Sequence, residues 1–178
     1  MITVISGTNN KGNKTNVFAQ HIFDLLKSKT SSEVKFLDLE HIAHDYFYPE
    51  MYKKQAPSIT KIQDEYIIPA EKFYVISPEY NGGISGALKL FLDACSIRAY
   101  QPSFKDKKVA LVGVASGRAG NLRGMDQLTG ILNHVGMLVL PNKLPISSIN
   151  SILNDKGEIV QASALKAIEQ QVEAFLEF

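Results

Sequence analysis

The fold of this chain is decided by the stretch Phe73-Tyr74-Val75-Ile76-Ser77-Pro78-Glu79-Tyr80-Asn81-Gly82-Gly83. Its first five residues form an apolar run with the length and composition of a buried parallel strand. Pro78 lacks an amide donor and ends the strand, while Asn81, Gly82 and Gly83 tolerate the positive φ angles of a sharp turn. A helical pattern begins at Ile84. Such a strand–turn–helix junction is where open α/β sheets usually bind ligands, although an ordinary tight turn is the alternative.

The rest of the chain alternates strands with helices, which predicts a mostly parallel sheet covered on both faces. The predicted strands are 2–6, 33–37, 73–77, 108–115 and 137–140. The predicted helices are 15–29, 58–68, 84–97, 122–135 and a last helix that carries Leu165 to Leu176. Residues 149–160 read as a short turn or hairpin insertion. Five strands in this pattern suit the order 2-1-3-4-5, with the switch point between the first and third strands.

Composition excludes several functional classes. The chain has 178 residues, 45% of them hydrophobic, which is enough for one domain over residues 1–178 with a real core. No apolar run reaches membrane-spanning length, and the first residues carry no basic region or cleavage site, so we expect no signal peptide. The net charge of +1 gives no reason to expect nucleic acid or an anionic membrane as a partner. A single cysteine, Cys95, cannot form an internal disulfide, and we expect a cytoplasmic protein.

The loop between the first strand and the first helix, Ser6 to Asn16, is rich in hydroxyl and amide groups. It precedes a helix N-terminus, where free N–H groups and the helix dipole favour an anion. Its glycines fit neither the P-loop nor the dinucleotide-binding spacing. Two interpretations follow: a phosphate site, or a helix capped by Asn13 or Thr15. Because the loop meets the 78–83 turn at the switch point, the phosphate site is favoured, with these candidate ligands: Thr8, Asn10, Asn13, Lys14 and Thr15.

A third loop, Ser116 to Gly124, follows the fourth strand and opens the next helix. Gly117 and Gly120 let the backbone approach a ligand closely, and the helix N-terminus offers N–H groups, so Ser116, Gly117 and Gly120 are candidate ligand-binding residues. Arg118 and Arg123 are either contacts for a nucleotide phosphate or ordinary surface arginines.

Together these loops resemble the NADPH-dependent FMN reductase family, which has a flavodoxin-like fold. The most specific match is Pro-Glu-Tyr-Asn-Gly at 78–82, directly after the buried strand. The family's first loop reads Gly-Ser-x-Arg-x-x-Ser; here Gly7 and Thr8 match, Asn13 falls at the second Ser, and Asn10 replaces the Arg. That replacement removes a bidentate phosphate partner. The third loop resembles Ser-x-Gly-x-x-Gly-Gly-x-Arg, shortened by one residue and with Asn121 in place of the second adjacent Gly.

The resemblance implies a three-layer sandwich with a five-stranded sheet, bound FMN, and NADPH or NADH as electron donor. It places the flavin ring along Pro78, Glu79, Tyr80, Asn81, Gly82 and Gly83. Tyr80 would pack near the ring, while Asn81 and the amides of Gly82 and Gly83 would face its polar edge. Glu79 is more simply a carboxylate paired with a backbone or basic group than a general acid, because hydride transfer to flavin needs no protein acid.

Three further features lie outside the three loops: a pair of histidines, an aromatic connection and an apolar helix. His41 and His44 are compatible with a metal only weakly, and a solvated polar turn is favoured, so no metal is predicted. The connection 46–57 carries aromatic residues that cover the flavin, contact a partner or pack internally. The helix 84–97 is apolar nearly all round, which favours a homodimer or a dimer of dimers, with Cys95 as a packing residue.

The predicted activity is that of an FMN-dependent NAD(P)H oxidoreductase. It would pass electrons by ping-pong exchange to a flavin, a quinone, an azo compound or a metal ion, and no side chain has the features of a covalent catalyst. The alternative is a flavin-binding electron carrier or regulatory protein without turnover. Carriers of the flavodoxin kind are strongly acidic in order to dock on basic partners, and the charge of +1 argues against one.

Overall fold

A parallel sheet runs through the centre of the computed structural model, which describes residues 1–178. Its strands are β1 (Ile2–Ser6), β2 (Val34–Asp38), β3 (Lys72–Pro78), β4 (Lys108–Val114), β5 (Leu138–Val139) and β6 (Leu144–Ile146). The order is β2-β1-β3-β4-β5, with every pair parallel, so the predicted 2-1-3-4-5 order is confirmed.

The fifth position of the sheet is shared by two short strands rather than filled by the one predicted at 137–140. β5 pairs with Lys108 and Val109 at the start of β4, and β6 pairs with Val112–Val114 at its end. The two strands are separated by residues 140–143, which include Pro141 and carry the chain off the ladder.

Seven α-helices cover the sheet: α1 (Thr15–Lys29), α2 (Pro57–Ile62), α3 (Gly86–Cys95), α4 (Tyr100–Phe104), α5 (Leu122–His134), α6 (Ile149–Ile152) and α7 (Ala162–Glu177). The sequence did not indicate α4. The predicted insertion at 149–160 contains α6 and then an antiparallel contact between Leu153 and Ile159. A π-helical turn, Gln63–Ile67, continues α2. The fully buried Gln63 side chain lies in this turn and donates to Cys95 O and Arg98 O, which ties α2 to the end of α3.

Two apolar layers flank the sheet, as the predicted three-layer sandwich requires. On one face, Phe18 of α1 and Phe175 of α7 pack over Val4, Tyr74 and neighbouring strand residues. On the other face, α2, α3 and α5 pack over the alternate strand positions, which include Ile5, Val75 and Leu111. Side chains that alternate between two buried faces explain why the strands read as continuous apolar runs.

The helix α3 is covered within the chain more fully than its sequence indicates. Leu88 and Phe91 are fully buried, while Ile84 and Leu90 stay half-buried and pack against the same core. Cys95 is fully buried too, and burial raises the pKa of its thiol, which confirms a packing role. Much of the second apolar face, from which we expected a partner subunit, therefore faces neighbouring elements of the same chain. None of the helices has the length and apolar composition needed to cross a bilayer.

Candidate active site

The carboxyl ends of β1, β3 and β4 bring the three predicted loops to one edge of the sheet. Ser6 pairs with Ile76, so β3 extends two residues beyond β1, and these two residues pair with Gly113 and Val114. The first loop lies directly against β3, because Gly7 N donates to Ile76 O over 2.8 Å. A Cβ at Gly7 would lie 2.8 Å from that same oxygen, so only glycine permits this approach.

Ser85 ties the first loop to α3. Its hydroxyl donates to Gly7 O over 2.6 Å and accepts a hydrogen bond from Leu88 N over 3.0 Å, so one buried side chain caps α3 and anchors the loop. Ser85 was not among the predicted site residues, although a serine before a helical pattern is a recognisable N-cap signal.

The first loop presents a set of free amide donors. The backbone N–H groups of Thr8, Asn9, Lys11, Asn13 and Lys14 make no hydrogen bond within the protein. They lie just before the N-terminus of the fifteen-residue helix α1, where the dipole is positive. A run of free amides at such a terminus has the chemistry of a phosphate-binding loop.

The side chains of the first loop differ in what they contribute. Asn13 caps α1, because its Oδ1 accepts from Asn16 N over 2.9 Å, so the capping interpretation is correct for Asn13. Lys14 extends to Asn150 on α6, with 2.7 Å between Nζ and Oδ1. Thr8 and Thr15 are almost completely buried, and Asn10 is exposed. The Thr8 hydroxyl accepts from Asn10 N over 3.2 Å.

The second loop closes on itself. Tyr80 and Gly83 exchange two backbone hydrogen bonds of 3.0 Å around Asn81 (φ 52°) and Gly82 (φ 77°). The carboxylate of Glu79 accepts from Gly82 N over 2.8 Å, which confirms that Glu79 pairs with the backbone. The amides of Gly82 and Gly83 are thus taken up by the turn and, in this conformation, do not offer the donors that we assigned to them. The backbone N–H and exposed side chain of Asn81 are free for that role.

Tyr80 connects the second loop to the first. Its hydroxyl lies 3.4 Å from Thr8 Oγ1, and 40% of the residue is exposed. An accessible aromatic ring beside free amides suits the packing of a planar ligand.

The third loop is joined to the second by Asn121, which is 1% exposed and has a left-handed backbone (φ 61°). Its Nδ2 donates to Ser77 O and Pro78 O, each over 3.0 Å. Gly124 makes room for this side chain, since a Cβ there would lie 2.0 Å from Asn121 Oδ1. The sequence marked Asn121 only as a departure from the family pattern, and its bridging role depends on the tertiary structure.

Most of the other residues of the third loop are exposed to solvent, namely 116–119, Leu122 and Arg123, whereas Gly120 and Gly124 are buried. The backbone N–H groups from Ser116 to Gly120 make no hydrogen bond within the protein. Arg118 and Arg123 are exposed and form neither an ion pair nor a hydrogen bond. Leu122 is 50% exposed and adds an apolar group at the rim. This loop therefore combines fixed donors with two free cations.

The two histidines do not converge on a common point. His41 Nδ1 lies 2.9 Å from Asp38 Oδ2, whereas His44 Nε2 lies 2.9 Å from Leu39 O. They are exposed in an irregular turn after β2, which agrees with the polar turn favoured from the sequence.

A parallel sheet of order 2-1-3-4-5 covered by helices on both faces defines a flavodoxin-like α/β fold, in which ligands bind at the carboxyl edge of the sheet. The family model of the NADPH-dependent FMN reductases matches residues 1–151, so the chain belongs to this family. FMN as cofactor and NAD(P)H as electron donor, both expected from the sequence, follow from this membership.

Three individual proteins are similar to this chain. An NAD(P)H-dependent FMN reductase of Pseudomonas aeruginosa is 28% identical over 173 residues, which is 96% of this chain and 90% of the relative. An NADPH azoreductase of a Bacillus species is 26% identical over 157 residues, or 88% and 82% of the two chains. The flavoenzyme NAD(P)H:(acceptor) oxidoreductase FerB from Paracoccus denitrificans has the same fold, with a TM-score of 0.77 at 20% identity over 99% of this chain and 94% of that one.

The residues at the edge fit FMN. The free amides of the first loop are donors of the kind that a phosphate group accepts from. The free amides of residues 116–120 and the exposed Tyr80 offer donors and an apolar surface of the kinds that an isoalloxazine ring uses.

Proposed function

We propose that the protein transfers hydride from NADPH or NADH to FMN and passes the electrons on to a second planar acceptor at the same site. The observation that supports this most directly is the meeting of three amide-rich loops at one sheet edge, joined by the Asn121 and Tyr80 contacts. When bound, FMN would supply the redox chemistry, as a group that can accept a hydride and pass two electrons to an acceptor.

In this mechanism the residues of the chain bind and orient the cofactor and the substrate. Thr8, Asn10, Asn13, Lys14 and Thr15 build the loop for the phosphate, and Pro78 to Gly83 hold one edge of the ring. We assign the donors for the ring's polar edge to Asn81 and to the free amides of Ser116, Gly117 and Gly120. Fixed N–H groups stabilise negative charge on a reduced ring without having to reorganise, which is how the site would favour reduction.

The substrate side of the site is the open rim of the third loop. Arg118 and Arg123 have no internal partner, so we assign them to the phosphates of the nicotinamide nucleotide. Because Arg118, Leu122 and Arg123 leave this rim exposed to solvent, we expect the nicotinamide to leave and an acceptor to take its place, which predicts ping-pong kinetics. We include flavins, quinones, azo compounds and metal ions among the acceptors.

Anaerobic spectroscopy of the purified protein tests the proposal. Protein reconstituted with FMN should lose its yellow absorption on addition of NADPH or NADH and regain it when an azo dye or quinone is added. Initial rates should give parallel double-reciprocal lines. Tight FMN binding without reduction by either nucleotide would instead identify an electron carrier, and intersecting lines would exclude the shared site.

We also propose a homodimer, or a dimer of dimers, in the cytoplasm, where NAD(P)H is available. The surface that supports the dimer is a cleft of about 580 Å³ lined by α3 and α5 residues together with Tyr100, which is 40% exposed. Phe47 and Tyr52, 75% and 62% exposed, add apolar surface elsewhere. Sedimentation should give a multiple of the 19.7 kDa chain mass, and a monomer at micromolar concentration would contradict this assembly.

A further inference from the structure

A carboxylate lies against the loop that we assign to the FMN phosphate. Glu40, in the turn after β2, accepts from Gly12 N over 3.1 Å through Oε1 and from Asn13 Nδ2 over 3.0 Å through Oε2. Its own backbone N–H donates to Asp38 Oδ1 over 3.0 Å, which anchors the turn at the end of β2. The carboxylate therefore uses two donors of the loop and adds a negative charge to it.

The positive charge available in the same loop is small. Asn10 stands where the family resemblance places an arginine. The Lys14 ammonium is directed to Asn150, 2.7 Å away, and the Asn13 amide donors go to Asn10 O and Glu40. Lys11 is the one lysine of the loop without a side-chain partner. Toward a phosphate monoester, which carries a charge of about −1.5 to −2 at pH 7, the side chains thus present one free cation and one carboxylate.

We propose that Glu40 limits what the phosphate group contributes to flavin binding, so that the protein accepts FMN and riboflavin with similar affinity and exchanges its flavin with solution. This inference rests on the proposed function and specifies its flavin selectivity. The Glu40 carboxylate and a phosphate held by the first loop carry like charges, which repel each other at distances shorter than the screening length of about 8 Å at physiological salt. Glu40 also occupies the Gly12 N–H that a phosphate would otherwise receive. The flavin is then held mainly by its ring, at the second and third loops.

The ratio of the dissociation constants of riboflavin and FMN isolates the contribution of the phosphate group to binding, because contacts to the ring and losses of global stability affect the binding of both ligands. We expect this ratio to be about 10 or less in the wild type, since the loop has no bidentate cation for the phosphate. Glu40→Gln keeps an oxygen for Gly12 N and removes the charge, and should raise the ratio about 5- to 10-fold through tighter FMN binding, an effect expected for a charge change near a phosphate. Flavin fluorescence titration measures both constants without turnover.

Three variants serve as controls. Glu40→Asp keeps the charge and shortens the side chain, so it should leave the ratio at or below the wild-type value. Glu50→Gln makes the same charge change at an exposed position with no side-chain partner, and should have no effect. Asn10→Arg adds a guanidinium group that can bind the phosphate through two hydrogen bonds, and should raise the ratio at least tenfold.

The outcomes separate this inference from the function on which it rests. A wild-type ratio clearly above the expected value of about 10, an unchanged or lower ratio in Glu40→Gln, or an equal rise in Glu40→Asp would overturn the role of the Glu40 charge while the flavin site stands. An unchanged ratio in Asn10→Arg would overturn the phosphate assignment of the first loop as well. Failure of the wild type to bind either flavin would overturn both the inference and the proposed function.

Discussion

Asn121→Gly is the sharpest test of how the flavin site is assembled. Glycine adopts the left-handed backbone of this position without strain, so the substitution removes the side chain and leaves the turn possible. It deletes two buried hydrogen bonds, to Ser77 O and Pro78 O, and leaves both carbonyls with one partner fewer. These carbonyls immediately precede the loop that we assign to the flavin ring.

The expected loss of stability follows from these contacts. Each hydrogen bond contributes about 1 kcal/mol to the free energy of unfolding. Glycine also gains chain entropy on unfolding, which costs about 0.5 to 1 kcal/mol more. The variant should therefore lose about 2 to 3 kcal/mol, or roughly 5 to 10 °C in Tm for a chain of this size.

Urea unfolding monitored by circular dichroism measures the loss of stability, and titration of riboflavin and FMN measures the effect on the site. Both flavins should bind about 5- to 50-fold more weakly, because two hydrogen bonds that hold the ring loops together are gone. Tyr74→Phe is the matched control, since it removes a buried 2.6 Å hydrogen bond to Gln171 beneath α7 and should lower stability without affecting either flavin. A loss below 0.5 kcal/mol, or unchanged affinities in the presence of a full loss of stability, would refute the reasoning.

Three other predictions concern the same framework. Asn13→Ala should weaken the binding of FMN about 3- to 10-fold in fluorescence titrations and leave the binding of riboflavin unchanged. The substitution removes the hydrogen bond to Asn16 N, which is worth about 1 kcal/mol and lies in the phosphate loop alone. Equal losses of affinity for the two flavins would contradict this. Gly7→Ala should lower the free energy of unfolding by about 1 to 3 kcal/mol in urea, because the new Cβ would lie 2.8 Å from Ile76 O; Gly130→Ala, where nothing lies within 4 Å, is the control. Burial lowers the pKa of Lys107 from 10.5 to about 8. Between these two pH values the unfolded chain binds more protons than the folded chain, so the free energy of unfolding of the wild type should rise with pH relative to that of Lys107→Met. After discounting for its partly exposed side chain we expect this rise to be about 1 kcal/mol between pH 7 and 10.5, and a fall would mean that the hydrogen bonds from Nζ to Ile67 O and Ile68 O dominate.

The sequence by itself determined the fold class and the positions of the three loops. Both kinds of information are local, since a buried parallel strand is apolar at every position and a turn requires residues that tolerate positive φ. Helix α1 was predicted with its observed bounds, and Glu79 was correctly assigned to a backbone partner three residues away, at Gly82. The division of the fifth strand was not predicted, because β5 has only two residues and β6 contains Pro145 at its centre, so neither has a recognisable strand pattern.

Only the tertiary structure decided which groups are free to bind a ligand. The sequence predicted that the backbone N–H groups of Gly82 and Gly83 are free to bind a ligand, but both donate hydrogen bonds within the turn. Glu40 meets Gly12 across 28 residues of chain, and Asn121 meets Ser77 across 44, so no local pattern reports either contact. The sequence does not show that α2 and its π-helical turn pack beside α3 and cover part of its apolar surface, so the second subunit that this surface predicts stays a proposal. Residue type tells which bonds a group can make, and the packing of distant segments determines which of those bonds are already made.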